Sequence, residues 1–369
     1  MGITAKIKKL SDKAILALGK LAIARGEYRN IHRKKALLGK VVLTDEQEND
    51  IQAFYRRHFG KKISSNWHRL YQSYTGTYCV DYFPEILFST KLEPLVNNMN
   101  HAVFMEDKNL LYRVFANVGD VYLPKTYGSC ILGVYQNENG VVCDFDQLIA
   151  RLADIGACVI KKTKETSSGR DVMLCNFQNG IDTKTQMQVS AVLRQFGKDF
   201  VVQEKIQQLT TLATLNQTSV NTFRVISYIC DNEIHVCPIA LRLGRSNADR
   251  DNIHYGGICV GIQQDGTLRK WAFSEFGETF TAHPDSGVTF EGYKIPEAVK
   301  LADAAKSLHN HMPYLGIISW DFTIDKNGRI TLIEMNTSGQ SAWFPQMVNG
   351  EPLFGEDTPK MLEMIGKRG

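Results

Sequence analysis

Ser319-Trp320-Asp321-Phe322-Thr323-Ile324-Asp325-Lys326-Asn327-Gly328-Arg329-Ile330-Thr331-Leu332-Ile333-Glu334-Met335-Asn336-Thr337-Ser338-Gly339 reads as a β-hairpin turned at Lys326-Asn327-Gly328, where glycine accepts a positive φ. An aspartate on the first strand is matched by Glu-x-Asn on the second. Glu334 and Asn336 are two apart and leave the same face of an extended strand, while Ile333 and Met335 are expected to point the other way, into a core. Asp321, Glu334 and Asn336 are hard oxygen donors brought to one end of a sheet. Such a set suits Mg²⁺, which keeps several waters and is usually shared with nucleotide phosphates. Standing alone, the pattern equally describes a surface hairpin with solvated acids, so the rest of the chain decides its meaning.

The chain has 369 residues, enough for a large core and two or three subdomains. With 43% hydrophobic and 22% charged residues it has the composition of an ordinary globular protein. No run of about 18 apolar residues occurs, so no membrane-spanning helix is expected. The first residues do not read as a signal peptide, because Lys8, Lys9, Asp12, Lys13 and Lys20 interrupt the apolar ones. The eight cysteines (Cys79, Cys130, Cys143, Cys158, Cys175, Cys230, Cys237 and Cys259) form no CxxC pair and mostly sit in apolar runs. That usage predicts reduced thiols in a cytoplasmic protein, with neither a disulfide nor a zinc framework.

The net charge of +4 conceals an asymmetry. Residues 1–40 carry eleven Lys or Arg against Asp12 and Glu27, a net of +9, which leaves −5 for the remainder. Within that segment Ile7, Leu10, Ala14, Ile15, Leu18, Leu21 and Ala22 recur at helical spacing and predict a basic amphipathic helix. It can pack on its own protein with a solvated cationic face, or attach to an anionic membrane on its cytoplasmic side or to an acidic partner. Nucleic acid is not expected as a partner, since the rest of the chain is acidic and lacks an aromatic-and-basic binding motif.

Along the chain, Thr44-Asp45-Glu46-Gln47 opens a helix with a capping-type start, followed by Ile51, Phe54, Tyr55 and Phe59 at its period. From about residue 112 short apolar strands alternate with helices. Strands are expected at 121–124, 141–143, 158–160 and 200–202, and helices at 145–154 and 185–196. Strands then dominate at 223–230, 234–243 and 257–262, before a helix at about 296–311. The mixture predicts an α+β protein with a mainly helical N-terminal region and two lobes.

Four further elements carry chemistry. Val159-Ile160-Lys161-Lys162 is a strand ending in lysine that runs into the small polar loop Thr163 to Val172, where Ser168 and Gly169 can offer backbone N–H groups to phosphate. It is not a Walker A loop. Phe200-Val201-Val202-Gln203-Glu204-Lys205-Ile206 is an apolar strand that turns polar at its end, a hinge able to pair with an adenine edge. In Asn221-Thr222-Phe223-Arg224-Val225-Ile226 a cation interrupts a strand face that should be partly buried, so it needs an anion: a ligand or a protein carboxylate. Arg242 interrupts the strand Ala240-Leu241-Arg242-Leu243 in the same way, ahead of the glycine-dependent loop Arg250-Asp251-Asn252-Ile253-His254-Tyr255-Gly256-Gly257. Arg242, Asn252 and the paired glycines would suit phosphoryl oxygens. His254 reads either as a loop-supporting side chain or as one that binds substrate or accepts an amine proton. His309 and His311, at a helix end without a third ligand, read as structural.

In that order the elements resemble the ATP-grasp superfamily, and the R-x-N-x-H-x-G-G run at Arg250 to Gly257 resembles its glutathione synthetase and glutamate ligase type. Leu43-Thr44-Asp45-Glu46, Trp67-His68-x-x-Tyr71, Asp107-Lys108, Asn221-Thr222-x-Arg224, Phe344-Pro345-Gln346 and Leu353-Phe354-Gly355 are similar to the sugar-transfer-associated ATP-grasp proteins. The resemblance implies two α+β lobes sandwiching ATP: a basic helix in 1–40, a helical N-terminal domain in 41–115, a small lobe in 116–208, and a large lobe with the metal site in 209–369. It assigns Lys108, Lys161, Ser168 and Gly169 to the ATP phosphates, with Lys161 chosen over Lys162. Gln203, Glu204, Lys205 and Ile206 would form the adenine hinge. Arg224, Arg242 and Asn252 would be catalytic, and Asp321, Glu334 and Asn336 would hold Mg²⁺. His254, Gly256, Gly257, Ser338 and Gly339 would bind substrate. Gln207 and Gln208 stand where many relatives place an acidic ribose ligand. The activity implied is that of an ATP-dependent carboxylate–amine ligase working through an acyl phosphate, joining an amino acid or other amine to a uronic acid or carboxylated sugar, on a lipid-linked glycan where polysaccharide is assembled. The alternatives are an ATP-dependent sugar or glycan phosphotransferase and a nucleotide-binding scaffold without turnover.

Overall fold

The computed structural model describes residues 3–116, 118–163, 172–246, 248, 250–312 and 314–367, with side chains described from residue 18 onward. Ser168 and Gly169 lie outside the described residues. Two antiparallel-rich sheets form the framework. The first contains β1 (Thr126–Ile131), β2 (Val134–Asn137), β3 (Gly156–Lys162), β4 (Val172–Gln178), β5 (Ile181–Asp182) and β6 (Phe200–Glu204), in the order β2-β1-β6-β3-β4-β5. Helices Phe145–Leu152 and Val189–Phe196 cover it, burying Leu148, Leu152, Val192, Leu193 and Phe196 against Cys130, Ile160 and Phe177. Asp144 caps the first of these helices through a capping box with Gln147.

The second sheet contains β7 (Thr222–Cys230), β8 (Glu233–Val236), β9 (Ala240–Leu243), β10 (Ile258–Ile262), β11 (Leu268–Ser274), β12 (Thr279–Phe280), β13 (Ile317–Ile324) and β14 (Ile330–Asn336). Its order is β12-β11-β10-β9-β7-β13-β14, with β8 beside β7. β13 lies between β7 and β14, is buried along its whole length, and contributes Ile318, Trp320, Phe322 and Ile324 to the largest core. A strand covered on both faces loses the clean polar and apolar alternation of a half-exposed one. Asp321, in the middle of this strand, therefore needs partners.

Helices precede the sheets. Ile3–Arg33 is followed by Asp45–His58, which starts with the expected capping box between Thr44 and Gln47, and by Asn66–Thr75. Several sequence expectations are corrected. Residues 121–124 are extended without forming a strand, keeping one bridge between Tyr122 and Thr331, and 141–143 keep one bridge between Val142 and Gln136. The expected strand 234–243 is split into β8 and β9 around Pro238, which cannot donate to a ladder. The hairpin register shifts between Asp321 and Phe322, which pair with Glu334 and Leu332, leaving Ile333 as a bulge. The bulge breaks the alternation: Met335 enters the core as expected, but Ile333 stays partly exposed and faces the cleft.

Candidate functional site

A cleft of about 1180 Å³ lies between the two sheets. That lies just above the roughly 300–1,000 Å³ typical of a small-molecule site, so a nucleotide-sized ligand fits. β3, β4 and the end of β6 supply one wall, and β7, β9, β13 and β14 supply the other.

The register of three strands builds the charged wall. Asp321 on β13 pairs with Arg224 on β7 and with Glu334 on β14, while Thr222 pairs with Arg242 on β9 and Ser319 with Asn336. Arg224 Nε donates to Asp321 Oδ1 at 2.7 Å and its Nη2 to Oδ2 at 3.4 Å; Arg242 Nη2 lies 3.1 Å from Oδ2. Asn336 Nδ2 donates to the same Oδ2 at 3.4 Å. Burial works against the Asp321 charge, but the two guanidinium groups hold its carboxyl below the usual carboxylate range. Burial likewise opposes the Arg242 charge, and Asp321 and Asp251 more than compensate. The Arg224 guanidinium also lies 5.2 Å from the centre of the Phe344 ring.

Lys108 opens the helix Lys108–Val114, capped by Asp107, and its Nζ lies 2.8 Å from Glu334 Oε1. The backbone N–H of Lys108 donates to Thr163 O at 3.3 Å, which ties that helix start to the end of β3. Burial lowers the Lys161 ammonium to about 8, with Glu334 opposing and Lys108 assisting the shift. Lys161 thus shares its electrostatic surroundings with Lys108 and Glu334, although Lys162 also lines the cleft. At the hinge, β6 pairing ends at Glu204, so the peptide groups of Lys205 and Ile206 lie beyond the ladder. The Glu204 carboxylate accepts from the Tyr122 hydroxyl and from Lys125 N at 2.8 Å. Ile206, Val159, Leu174 and the bulged Ile333 give this end an apolar lining.

Most of the expected site residues face this one cleft: Lys108, Lys161, Glu204, Lys205, Ile206, Arg224, Arg242, Asn252, His254, Asp321, Glu334, Asn336, Ser338 and Gly339. Gln203, Gly256 and Gly257 do not line it. Gln203 is buried in β6 between Thr126 and Val159, and Gly257 is packed against the backbone of Asp251 and Asn252, where a Cβ would meet Asp251 O at 2.4 Å. The paired glycines therefore serve to fold the loop. Gln207 and Gln208 both border the cleft, but the Gln208 amide is spent on the loop 216–221, donating to Asn216 O at 2.7 Å and Ser219 O at 3.1 Å and accepting from Asn221 N at 2.9 Å. His309 bonds Ser227 Oγ at 2.7 Å and Leu315 O at 2.8 Å, a structural use of both ring nitrogens.

Other residues with evident work at the site carry no periodic signal in the sequence. Asp251 accepts from Thr222 N at 3.0 Å and lies 3.6 Å from Arg242 Nε, so it steers Arg242. Behind β14, three glutamates hold the loop backbone: Glu106 accepts from Ser338 N at 2.9 Å, Glu93 from Gly339 N at 3.1 Å and Gln340 N at 3.0 Å, and Glu85 from Ala342 N at 3.1 Å. The donors come from residues more than 200 positions away, and only the fold unites them with their acceptors.

Among the described residues no group of three or more His, Cys, Asp or Glu side chains has the geometry to hold a metal ion. Asp321 and Glu334 with the Asn336 amide are a mixed set of two carboxylates and one amide, hard oxygen donors that fit Mg²⁺ with positions left for phosphate and water. Each carboxylate is at present paired with a cation of the cleft.

Residues 87–361 match the family described as sugar-transfer associated ATP-grasp, well over half of the chain. The chain belongs to this ATP-grasp family. No curated relative matches its sequence. Among solved structures it is similar to an ADP complex of PurK, the N5-carboxyaminoimidazole ribonucleotide synthetase, at 13% identity and a TM-score of 0.38, covering 68% of this chain and 53% of that one. It is also similar to the biotin carboxylase domain of Hydrogenobacter thermophilus 2-oxoglutarate carboxylase with MgADP, at 14% identity and a TM-score of 0.42, covering 73% and 47%. A third is the VanG D-Ala:D-Ser ligase of Enterococcus faecalis, at 13% identity and a TM-score of 0.41, covering 71% and 60%. The chain spans about half the length of the first structures it matches, and the family match carries the assignment. The ATP-grasp fold accounts for the two sheets, and a mainly helical region precedes the matched domain, which starts at residue 87.

Proposed function

We propose that the protein is an ATP-dependent carboxylate–amine ligase that forms an amide through an acyl phosphate. The observation that supports this most is the interleaved charge row of the cleft: Lys108 on Glu334, and Arg224 and Arg242 on Asp321. Buried guanidinium groups require anions. Without a nucleotide, the carboxylates expected to hold a metal neutralise the cations expected to hold phosphates. When Mg²⁺-ATP enters, both sets exchange partners, so neither charge is left bare at any stage. Mg²⁺ held by Asp321, Glu334 and Asn336 would supply charge neutralisation on the β- and γ-phosphates.

The residues of the chain then have distinct tasks. Lys205 and Ile206 offer unpaired peptide groups to the adenine edge, with Ile333 and Leu174 against its faces. Lys108 and Lys161 hold the phosphates. Arg224 and Arg242 lie where negative charge grows as the substrate carboxylate attacks the γ-phosphorus and ADP leaves, and they hold the acyl phosphate in line for the amine. Asp251 keeps the Arg242 fork aimed, and Asn252 contributes an amide at the same end. Gln207 is the side chain placed to meet ribose.

The family's description names sugar transfer, and joined to the ligase reading it supports a carboxylated sugar, such as a uronic acid of a growing polysaccharide, as the acid. Leu18, Leu21 and Ile23 are exposed on the helix Ile3–Arg33, close in sequence to the exposed Lys20 and Arg25, and they support contact with an anionic membrane that carries a lipid-linked glycan. No described helix is long and apolar enough to cross a membrane. The deciding experiment is a screen of amino acids and uronic acids with Mg²⁺-ATP, scored by ADP release and product mass. A new amide with stoichiometric ADP supports the ligase. A phosphorylated sugar without amide would make the protein a phosphotransferase instead, and no ADP release with any pair would leave a nucleotide-binding scaffold.

A further inference from the structure

A second, much smaller chamber of about 70 Å³ opens beside the cleft, and His254 and Ser341 line both spaces. A molecule lodged in it therefore reaches the reacting end of the cleft. Its walls are chemically opposite to those of the cleft. Glu27, Glu85 and Glu275 surround one buried cation, Lys34, and Trp343 forms an aromatic wall. The Lys34 ammonium lies 3.4 Å from Glu275 and 3.6 Å from the centre of the Trp343 ring, so the chain already seats an ammonium group of its own against that face. Burial weakens the charge on Lys34 and pushes the Glu27 and Glu85 carboxyls up, and Lys34 offsets this for both glutamates only in part. Glu275 keeps its charge, and the Glu27 and Glu85 carboxyls add acceptor oxygens around a single lysine, a lining that suits a second ammonium better than phosphate or uronate.

Resting on the ligase reading above, we propose that this chamber is the amine subsite, and that it takes a small primary ammonium compound of amino-acid size. The two substrates are thereby sorted by charge: ATP and the acid go to the cationic wall of the cleft, the amine to the carboxylate-lined chamber. His254 stands at the threshold on the short turn Ile253–Tyr255, held by Asn252, whose side chain accepts from His254 N at 2.8 Å. Its Nδ1 lies 2.8 Å from Glu275 Oε2. Glu275 stays ionised despite burial, because His254 and Lys34 favour its charge. A carboxylate only accepts, so Nδ1 carries a proton, and in the neutral ring Nε2 is then the nitrogen with the lone pair. As the ammonium leaves the chamber, Nε2 takes one of its protons; the nitrogen lone pair then attacks the acyl carbon. The C–O bond to phosphate breaks, and the second proton departs with phosphate.

The test uses the full-length protein and two binding measurements by calorimetry: ADP for the cleft, and glycinamide or glucuronate for the chamber. Glycinamide is expected to bind saturably, and Glu27→Gln is expected to weaken it roughly fivefold while ADP affinity stays unchanged. Lys34→Met separates the readings by sign. Removing the resident ammonium should tighten glycinamide, whereas a chamber built for an anion would lose glucuronate binding instead. The proposal is overturned if glycinamide does not bind, if it binds without responding to either variant, or if Lys34→Met abolishes glucuronate binding. ADP binding weakened by Lys161→Ala, together with no glycinamide binding, would sink the chamber and leave the ligase reading intact. Glycinamide binding without ADP binding would do the reverse.

Discussion

Replacing Asp321 by Asn keeps the shape of the side chain and removes one charge from the centre of β13. The carboxylate is 3% exposed and bridges Arg224, at 2.7 and 3.4 Å, to Arg242, at 3.1 Å. At an effective dielectric of about 20, each such pair is worth roughly 5 kcal/mol of Coulomb energy, most of which is offset by the desolvation of the ions. Removing one member of a buried pair costs about 3–5 kcal/mol, because the partner stays buried and unpaired. Arg242 retains Asp251 at 3.6 Å, so Arg224 is the guanidinium left without a carboxylate, and the loss should fall near the lower end, about 3 kcal/mol. Urea unfolding in EDTA measures it. ADP supplies phosphates to the stranded arginine, so magnesium-free ADP should raise the stability of Asp321→Asn by more than it raises that of the parent. Turnover with Mg²⁺-ATP should fall by about 10²–10³. Stability within about 0.5 kcal/mol of the parent, with an unaltered ADP increment, would refute the partner exchange on which the proposed mechanism rests.

Three further outcomes follow from other parts of the site. Lys161 titrates at about 8, so magnesium-free ADP should bind progressively more weakly as pH rises from 7 to 9.5, and Lys161→Arg should flatten that decline; a parallel decline in both proteins would remove Lys161 from the phosphate site. Burial raises the Glu93 carboxyl to about 7, above its unfolded value, so its contribution to stability is full below about pH 4.3 and is lost as pH rises through 7. Glu93→Gln should therefore lose less stability than the parent between pH 5.5 and 8 in urea titrations, and an equal loss would argue that Glu93 is not buried as described. Leu18→Glu combined with Leu21→Glu should abolish co-sedimentation with phosphatidylserine-containing vesicles while leaving ADP binding unchanged; undiminished sedimentation would exclude this helix as a membrane contact.

The hairpin from Ser319 to Gly339 was legible because local rules govern it: alternation gives strands, and Asn-Gly gives the turn, with Gly328 at φ 76°. The strands containing Phe200, Phe223 and Ile258 were legible for the same reason, being short apolar runs bounded by polar or turn residues. Residues 121–124 and 141–143 misled because an apolar run does not determine whether a neighbouring strand is there to complete its hydrogen bonds. Ile333 misled because a bulge depends on the register of the partner strand, which period-two reasoning takes as regular.

Residue types read in order along the chain carried the resemblance to the ATP-grasp family that residues 87–361 match, and they picked out Asp321, Glu334 and Asn336 as candidate donors and Lys108, Lys161, Arg224 and Arg242 as candidate cations. Those features are local, or depend only on the order in which strands occur. Which charge meets which was decided by tertiary structure alone. Strand register set Arg224 and Glu334 on either side of Asp321, and packing of the N-terminal helices brought Glu85, Glu93 and Glu106 to the loop after β14 and Lys34 to Trp343. Pairings between residues more than 200 positions apart follow from how burial and backbone hydrogen bonding are satisfied over the whole chain, and no window of sequence contains them.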